Sequence, residues 1–286
     1  MKILITLLPA AGGAYLYTEE LYKELIKNHK VFYINGKELK TNSLLQFKSL
    51  ELLKNINFDL IIIMQSDHYK KLNINFESNK IINIIHSEVY DVDHPLLLEN
   101  IKYVAVREEI SKYLINNFNI NKNLILTLLN PINKDFYIKI DDLQDDFVKN
   151  KFGIFACGSL AQIRLNAAIE FSHYCRENKI KSLFVGNIYN EAKENLYQFY
   201  DKILDATPNV NYYMKHATIC GGIQKGRTYW EAKLLGKPVC EYMVESNGEI
   251  IYEIYEKSPT LEELEKIKKY TNPEYITNQI FEWAFK

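Results

Sequence analysis

Long apolar runs, paired cysteines and an excess of charge of one sign are all missing from this sequence of 286 residues. No apolar stretch approaches the roughly 18 residues of a membrane-spanning helix, so no transmembrane segment is expected. The four cysteines show no CxxC spacing. This disfavours a disulfide framework or a zinc site and predicts free thiols in a reducing compartment. Lys and Arg number 35 and Asp and Glu 36, a balance that disfavours nucleic acid as the main ligand.

The first residues resemble a short signal peptide, because Lys2 precedes an apolar run. Pro9 ends that run after about seven residues, the minimum for the apolar region of an export signal. An amphipathic helix pattern at 15–28 follows directly. We therefore expect a first buried strand and a cytoplasmic protein.

Apolar runs of strand length alternate with helical patterns along the whole chain. Ile, Val and Leu runs without alternation are typical of parallel strands that helices cover on both faces. The pattern predicts an α/β protein with two Rossmann-like, doubly wound parallel sheets. The expected strands are 2–8, 30–34, 59–64, 80–85, 102–106, 124–129, 152–157, 181–186, 210–214 and 237–242. The expected helices after the first are 108–117, 163–177, 190–203, 227–235, 260–269 and 272–286.

An acidic, weakly patterned segment at 138–151 separates two series of strands and helices. It predicts a first domain at 1–140, a second at 150–270, and a final helix at 271–286 that packs back on the first domain. Two such domains are expected to face each other across a cleft. In open α/β sheets ligands bind beyond the carboxyl ends of the strands, so we expect a nucleotide-like ligand in this cleft.

The most informative stretch runs from Gly221 to Val239. It predicts a glycine-rich loop, with Gly222 and Gly226, that opens a short helix. The first N–H groups of a helix and its dipole form a phosphate site, to which Lys225 and Arg227 would add positive charge. Glu231, one turn further, is placed to accept hydrogen bonds from a ribose diol. The alternative is that Arg227 and Glu231, spaced i,i+4, form a surface ion pair.

Five motifs, in this order along the chain, resemble those of glycosyltransferases with the two-domain GT-B fold, closest to the retaining family 4. They are the strand at 81–88 that ends in a histidine, the segment 103–115, the junction Asn130-Pro131-Ile132 with Phe136, the turn from Gly158 to Arg164, and Glu231-Ala232 with Gly236, Pro238 and Val239. The last two are similar to the family's G-R-L-x-x-x-K segment and to the second half of its E-x7-E-A-x-x-x-G-x-P-V motif.

The resemblance implies that 150–270 binds a nucleotide-sugar donor and that 1–140 lies on the acceptor side. Glu231 would bind the donor ribose, Arg164 would neutralise the diphosphate, and His86 would contact the donor sugar. Gly12 and Gly13 would form a loop that closes on phosphate or acceptor. The further donor-binding candidates are Gly158, Ser159, Gly222, Ile223, Gln224, Lys225, Gly226, Arg227 and Thr228.

Two positions depart from the family pattern. Ile223 stands at the first glutamate of E-x7-E, and Ser159 stands at the arginine of the G-R-L segment. An unusual donor, compensation by Lys225 and Arg227, and weakened activity all remain open as consequences.

The resemblance implies transfer of a sugar from a nucleotide-diphosphate sugar to a hydroxyl acceptor, either a glycan or a lipid-linked sugar, with retention of configuration and without a metal or other cofactor. Such chemistry asks the protein to position substrates and to stabilise a departing diphosphate. The sequence has neither the G-x-S-x-G motif of serine hydrolases nor the P-loop motif of NTPases, and this agrees with a reaction that needs no protein nucleophile. A catalytically impaired sugar-nucleotide-binding protein, an inverting transferase and a nucleotide-sugar epimerase or hydrolase remain as alternatives. The near-neutral charge disfavours a further alternative, a transferase that acts on modified DNA. Peripheral contact with a membrane also remains open, although no basic amphipathic stretch favours it.

One polar cluster offers a different chemistry. His86, Glu88, Asp91, Asp93 and His94 follow a predicted strand within nine residues. Their composition suits a metal, but the spacing matches no known ligand pattern, so we expect no metal site. Under the alternative of an inverting transferase, Asp91 or His86 would be the general base.

Overall fold

The computed structural model describes residues 1–7, 13–36, 38–41, 53, 55–72, 80–88, 93–99, 101–160, 162–188, 196–245 and 247–286. The chain divides into two compact units, Met1–Pro131 with Tyr270–Lys286, and Ile132–Lys269. Each unit is built around its own mostly parallel sheet with α-helices between the strands. The predicted α/β class with two Rossmann-like sheets is therefore confirmed.

The sheet of the first unit consists, over the described residues, of β1 (Lys2–Leu7), β2 (Lys30–Asn35), β3 (Glu38–Thr41), β4 (Leu60–Ile63), β5 (Ile81–Ile85), β6 (Lys102–Ala105) and β7 (Ile125–Thr127). Their order is β3-β2-β1-β4-β5-β6-β7, and only the β2–β3 pair is antiparallel. The helices are α1 (Gly13–Leu25), α2 (Ser66–Leu72) and α3 (Glu108–Phe118), and a 3₁₀ turn spans Lys122–Leu124. Strand β4 is buried along its whole length, as its unbroken apolar sequence predicts.

The described strands of the second unit are β8 (Phe152–Leu160), β9 (Lys181–Ile188), β10 (Lys202–Leu204), β11 (Ile219–Ile223), β12 (Val239–Val244) and β13 (Ile250–Glu256). Their order is β10-β9-β8-β11-β12-β13, and all pairs are parallel except β12–β13. The helices are α4 (Asp135–Ile138), α5 (Gln162–Glu177), α6 (Val210–His216), α7 (Arg227–Leu234) and α8 (Leu261–Tyr270), and a 3₁₀ turn spans Asp146–Lys149.

Three sequence predictions in the second unit need correction. The helix expected at 190–203 begins in residues outside the described ranges, and its end is not helical, because Lys202–Leu204 form strand β10. The strand expected at 210–214 lies in helix α6, because a segment of five residues carries too little periodicity to separate a strand from one turn of helix. The segment 138–151 belongs to the second unit and does not separate the two units, since Leu143 and Phe147 pack against a core of the second unit. Asp145 in this segment accepts hydrogen bonds from Lys202 at 2.5 Å and from Tyr213 at 2.8 Å. The boundary between the units accordingly lies at residue 131 and not at 138–151.

The final helix, α9 (Pro273–Phe285), belongs to the first unit, where it contacts α1. Ile276 and Ile280 are fully buried in the first unit's core. The Nζ of Lys102 donates to the carbonyl oxygen of Trp283 at 2.7 Å. A cation at the carbonyl end of a helix is favourable to the helix dipole, so this contact adds to the apolar packing of α9.

No helix within the described ranges is both long and apolar enough to cross a membrane.

Helix α9 supplies a test of how far the first unit depends on the end of the chain. We expect Ile280→Ala to lower the free energy of unfolding of the first unit by about 2 to 5 kcal/mol, because it leaves a cavity in a fully buried position. Denaturant unfolding would measure the change. Asn278→Ala, on the exposed side of the same helix, should stay within about 0.5 kcal/mol of the wild type. Equal effects of the two substitutions would contradict the docking of α9.

Candidate functional site

The order of strands in the second unit reverses between β8 and β11. From β8 the chain proceeds outward to β9 and β10, and it then crosses back to β11 on the other side of β8. The two strands are parallel neighbours, with Phe155 opposite Gly221. The turns that follow β8 and β11 therefore leave the same edge of the sheet, side by side. In open α/β sheets this switch point is where ligands bind.

The first of these turns contains candidates from the Gly158–Arg164 motif. Gly158 is exposed near the end of β8, and Ser159 lies in the same strand. Arg164 lies in the first turn of α5. Burial raises the pKa of the Cys157 thiol to about 12, and the positive charge of Arg164 opposes this shift. The turn thus brings a guanidinium group to the switch point.

The second turn, residues 224–226, has an unusual backbone conformation. Gln224 and Lys225 both adopt left-handed conformations, with φ of 56° and 45°. Non-glycine residues in this region cost on the order of 1 kcal/mol each, so the surroundings must hold them. Strand β12 does so through three hydrogen bonds. The Gln224 backbone N–H donates to the carbonyl oxygen of Tyr242 and its side-chain amide to that of Val244, both at 3.0 Å, and the Lys225 N–H donates to Oε2 of Glu241 at 3.0 Å.

Helix α7 begins directly after this turn without a side-chain cap. Gly226 occupies the N-cap position, and glycine has no side chain that could accept a hydrogen bond from the first N–H groups of the helix. The start of a helix carries N–H groups without intrahelical partners and the positive end of the helix dipole. A Cβ at residue 226 would lie 3.5 Å from its nearest neighbour, the carbonyl oxygen of Ile223. The start of α7 therefore has the chemistry of an anion site with room beside it.

The paired glycines have a different role from the predicted one. Gly221 and Gly222 lie within β11 and not in the loop. A Cβ at Gly221 would lie 2.4 Å from the ring of Phe171 on α5, and a Cβ at Gly222 would lie 2.5 Å from Oε1 of Glu241. These positions are glycine because the helix and a carboxylate approach the strand closely. The loop itself consists of residues 224–226.

Arg227 and Glu231 form the ion pair that their spacing allows, but the pair is not on the surface. The Nε of Arg227 lies 2.7 Å from Oε1 of Glu231, and the side chains are 10% and 6% exposed. Removing one partner of a buried ion pair leaves an uncompensated charge. The candidate ribose carboxylate is thus held in place by a residue from the first turn of its own helix.

Lys225 also has a carboxylate partner. Its Nζ lies 2.8 Å from Oε1 of Glu256, while Lys233 and the Tyr229 hydroxyl contact Oε2 of the same residue at 3.1 and 2.6 Å. Burial raises the pKa of Glu256, but hydrogen bonds from Lys225, Tyr229 and Lys233 outweigh it and lower the pKa to about 2. Lys225 is therefore engaged by Glu256, a partner that the sequence did not indicate.

In the first unit, His86 follows the end of β5. Its backbone N–H donates to Asp93 at 2.7 Å, and its ring lies edge-on to Tyr17 with centroids 5.2 Å apart. Burial and the nearby Arg107, which pairs with Glu88, lower the pKa of His86 to about 3. The imidazole is therefore neutral at physiological pH.

Several predicted residues add little to these sites. Gly13 begins α1 and is exposed, whereas Gly12 and Asp91 lie outside the described residues. Among the residues that the structure describes, no group of three or more His, Cys, Asp or Glu side chains is arranged to hold a metal ion.

A cavity of about 380 Å³ lies elsewhere in the second unit. Arg176, Lys181 and Asp201 are among the residues that line it, and none of the predicted site residues contributes to it.

Comparison with known proteins identifies the fold. No protein-family model matches the sequence, and no curated protein matches it significantly. A glycosyltransferase from Rickettsia africae matches with a TM-score of 0.60 and 15% identity, covering 99% of this chain and 87% of the other. An α-glucosyltransferase in complex with UDP and a 13-mer DNA containing an HMU base matches with a TM-score of 0.58 and 12% identity over 100% of both chains. A UDP-N-acetylglucosamine 2-epimerase from Rickettsia bellii matches with a TM-score of 0.56 and 11% identity, covering 100% of this chain and 96% of the other.

These similarities establish the fold that the chain shares with glycosyltransferases and epimerases. They do not distinguish among the reactions of those proteins, because one fold hosts several functions.

Two carboxylates at the site were missed from the sequence. Glu241 is 1% exposed in β12, and Glu256 ends β13. A glutamate inside the otherwise non-ionic strand VCEYMV is the signal that would have identified the first. No comparable signal marked Glu256, since β13 was not expected.

The Glu256 cluster predicts a pH dependence. Because the native pKa of Glu256 lies below its ordinary value of 4.5, ionised Glu256 stabilises the fold above about pH 4.5, and this contribution is lost as the pH falls toward about 2. Between pH 5.5 and about pH 2.5, the wild type should lose about 1 to 2 kcal/mol more unfolding free energy than Glu256→Gln. Urea unfolding at several pH values measures this difference. The exposed Glu253→Gln should follow the wild type, and parallel curves for wild type and Glu256→Gln would refute the cluster.

Proposed function

We propose that this protein is a glycosyltransferase that takes a sugar from a nucleotide-diphosphate sugar and transfers it to a hydroxyl acceptor. The observation that carries the proposal is the convergence of two turns at the switch point of the second unit. One turn leads to Arg164 and the other to the uncapped start of α7, with Glu231 one turn further. A cation and a helix dipole favour a bound diphosphate, and a carboxylate can accept hydrogen bonds from the ribose hydroxyls.

Each group has a separate task in the proposed reaction. The N–H groups at the start of α7 would hold the diphosphate, and Arg164 would neutralise the charge that develops as it leaves. Glu231 would bind the ribose, while Arg227 keeps its carboxylate fixed through the 2.7 Å contact. This assigns the protein electrostatic stabilisation and positioning, and no nucleophile is needed.

The nucleotide is best tested first as UDP. One matched glycosyltransferase was solved with UDP, and a matched epimerase is named for a UDP-sugar. Retention of anomeric configuration, independence of metal, a glycan or lipid-linked acceptor and a sugar contact by His86 follow from the family resemblance alone and remain predictions.

A nucleotide-sugar epimerase is the second candidate, because an epimerase shares the fold over the full length of this chain. It would convert the sugar nucleotide without an acceptor, whereas a transferase would need one. An impaired binding protein, which Ile223 and Ser159 leave open, would bind the sugar nucleotide and do neither.

Thermal unfolding with a panel of nucleotides and sugar nucleotides tests the donor site. A ligand that binds only the native state raises the free energy of unfolding, by about 2.7 kcal/mol when its concentration is 100 times its dissociation constant. The unfolding temperature rises as a result. We expect UDP or a UDP-sugar to do this in the wild type. Arg164→Ala and Glu231→Gln should each remove most of the shift.

The variants are matched to controls. Glu231→Gln is preferable to alanine because it keeps a partner for the buried Arg227. Arg176→Ala removes an exposed arginine from the opposite end of α5 and should leave the shift unchanged. Full stabilisation of both Arg164→Ala and Glu231→Gln would show that the donor site is elsewhere.

A further inference from the structure

Glu241 is a carboxylate in a buried strand, a position that is unfavourable for a charged side chain. It lies in the middle of β12 and is 1% exposed. Withdrawing a carboxylate from water is unfavourable unless hydrogen bonds compensate for the lost hydration. Residues that break a local pattern of this kind are often retained for function.

The surroundings of Glu241 show what the carboxylate does. Glu241 and Gly222 are partners across β12 and β11, and a Cβ at residue 222 would lie 2.5 Å from Oε1. Glycine is therefore what leaves room for the carboxylate. The other oxygen, Oε2, accepts the backbone N–H of Lys225 at 3.0 Å. Lys225 is the second of the two left-handed residues and is separated from α7 only by Gly226.

We propose that Glu241 is a positioning residue of the donor site. By holding the Lys225 N–H, it fixes residues 224–226 in the conformation that directs the first N–H groups of α7 at the donor diphosphate. Gly222 is the second half of this arrangement, because it admits the carboxylate beneath the turn. This inference rests on the proposed function, since it assigns Glu241 to the same site.

The physical basis is preorganisation. Without the carboxylate the left-handed turn relaxes, and a ligand must order it again on binding, which weakens affinity although every contacting group is still present. A purely structural role for Glu241 would instead lower stability and leave the affinity of the folded protein unchanged.

Measuring the UDP dissociation constant and the unfolding midpoint of three variants separates these roles. Glu241→Gln keeps an oxygen for the Lys225 N–H and should bind UDP within about threefold of the wild type. Glu241→Ala should bind at least about tenfold more weakly, equivalent to about 1.4 kcal/mol. Val239→Ala, buried at the far end of β12, should lower the midpoint without changing affinity. Wild-type affinity in folded Glu241→Ala would overturn the proposal.

A double mutant gives an independent readout. Gly222→Ala alone should weaken UDP binding because its methyl group displaces the carboxylate. In the Glu241→Ala background the same change should have a much smaller effect, since the remaining close neighbour of the methyl group is Thr228 Oγ1 at 3.3 Å. Additive losses would contradict the arrangement.

Amide exchange at Lys225 separates this proposal from the proposed function. Exchange should be faster in Glu241→Ala than in the wild type, because the N–H loses its acceptor. If the wild type bound no nucleotide but exchange at Lys225 were faster in Glu241→Ala, the proposed donor function would be wrong. The proposal that Glu241 fixes residues 224–226 would still be supported. Unchanged exchange would overturn the role of Glu241 directly.

Discussion

The reversal of strand order between β8 and β11 is the constraint on which the candidate site depends. Two parallel neighbours whose chains continue to opposite sides leave their turns next to each other at one edge. The packing beneath keeps this edge in place. Gly153 and Gly221 let α5 approach the sheet, where Cβ atoms would lie 2.6 Å from the Cys175 sulfur and 2.4 Å from the Phe171 ring. The packing of apolar residues between α5 and the sheet thus fixes the position of the two turns that carry the polar site residues.

The charges around the start of α7 are arranged in pairs. Arg227 forms an ion pair with Glu231, and Lys225 and Lys233 both form ion pairs with Glu256. The side chains are thereby ordered before any ligand arrives, and positive charge near the turn is compensated. In the proposed site the backbone N–H groups and the helix dipole consequently carry much of the anion recognition, and the conformation of residues 224–226 matters more than the number of basic residues.

Sequence patterns predicted the class of the fold because buried parallel strands have a distinctive composition. The core strands of both sheets were found from their unbroken apolar runs, and α7 from its glycine-bounded pattern. The antiparallel edge strands β3 and β13 were not expected, since strands exposed on one side carry mixed sequences such as IIYEIYE. Helix α6 was mistaken for a strand for lack of length.

The candidate site was predictable only in part. The spacing of Arg227 and Glu231 indicated an ion pair, but its burial depends on how α7 packs. Gly222 was expected in the loop but lies in β11 with Gly221, and only the structure shows that Phe171 and Glu241 occupy the space that the missing side chains leave. Contacts between residues distant in sequence, such as Lys225 with Glu256, leave no local pattern.

The central claim is that a phosphate group meets the backbone at the start of α7, and Gly226→Ala tests it most directly. The backbone there can accommodate alanine, with φ of −68° and the nearest atom 3.5 Å from the new methyl group. Because alanine is a poorer N-cap residue than glycine, we expect the variant to lose up to about 1 kcal/mol of stability and to remain folded. A methyl group at this point obstructs a ligand that approaches the N–H groups. We expect the dissociation constant for UDP, measured by titration calorimetry, to rise at least about tenfold. Unaltered UDP binding in this variant would contradict the account.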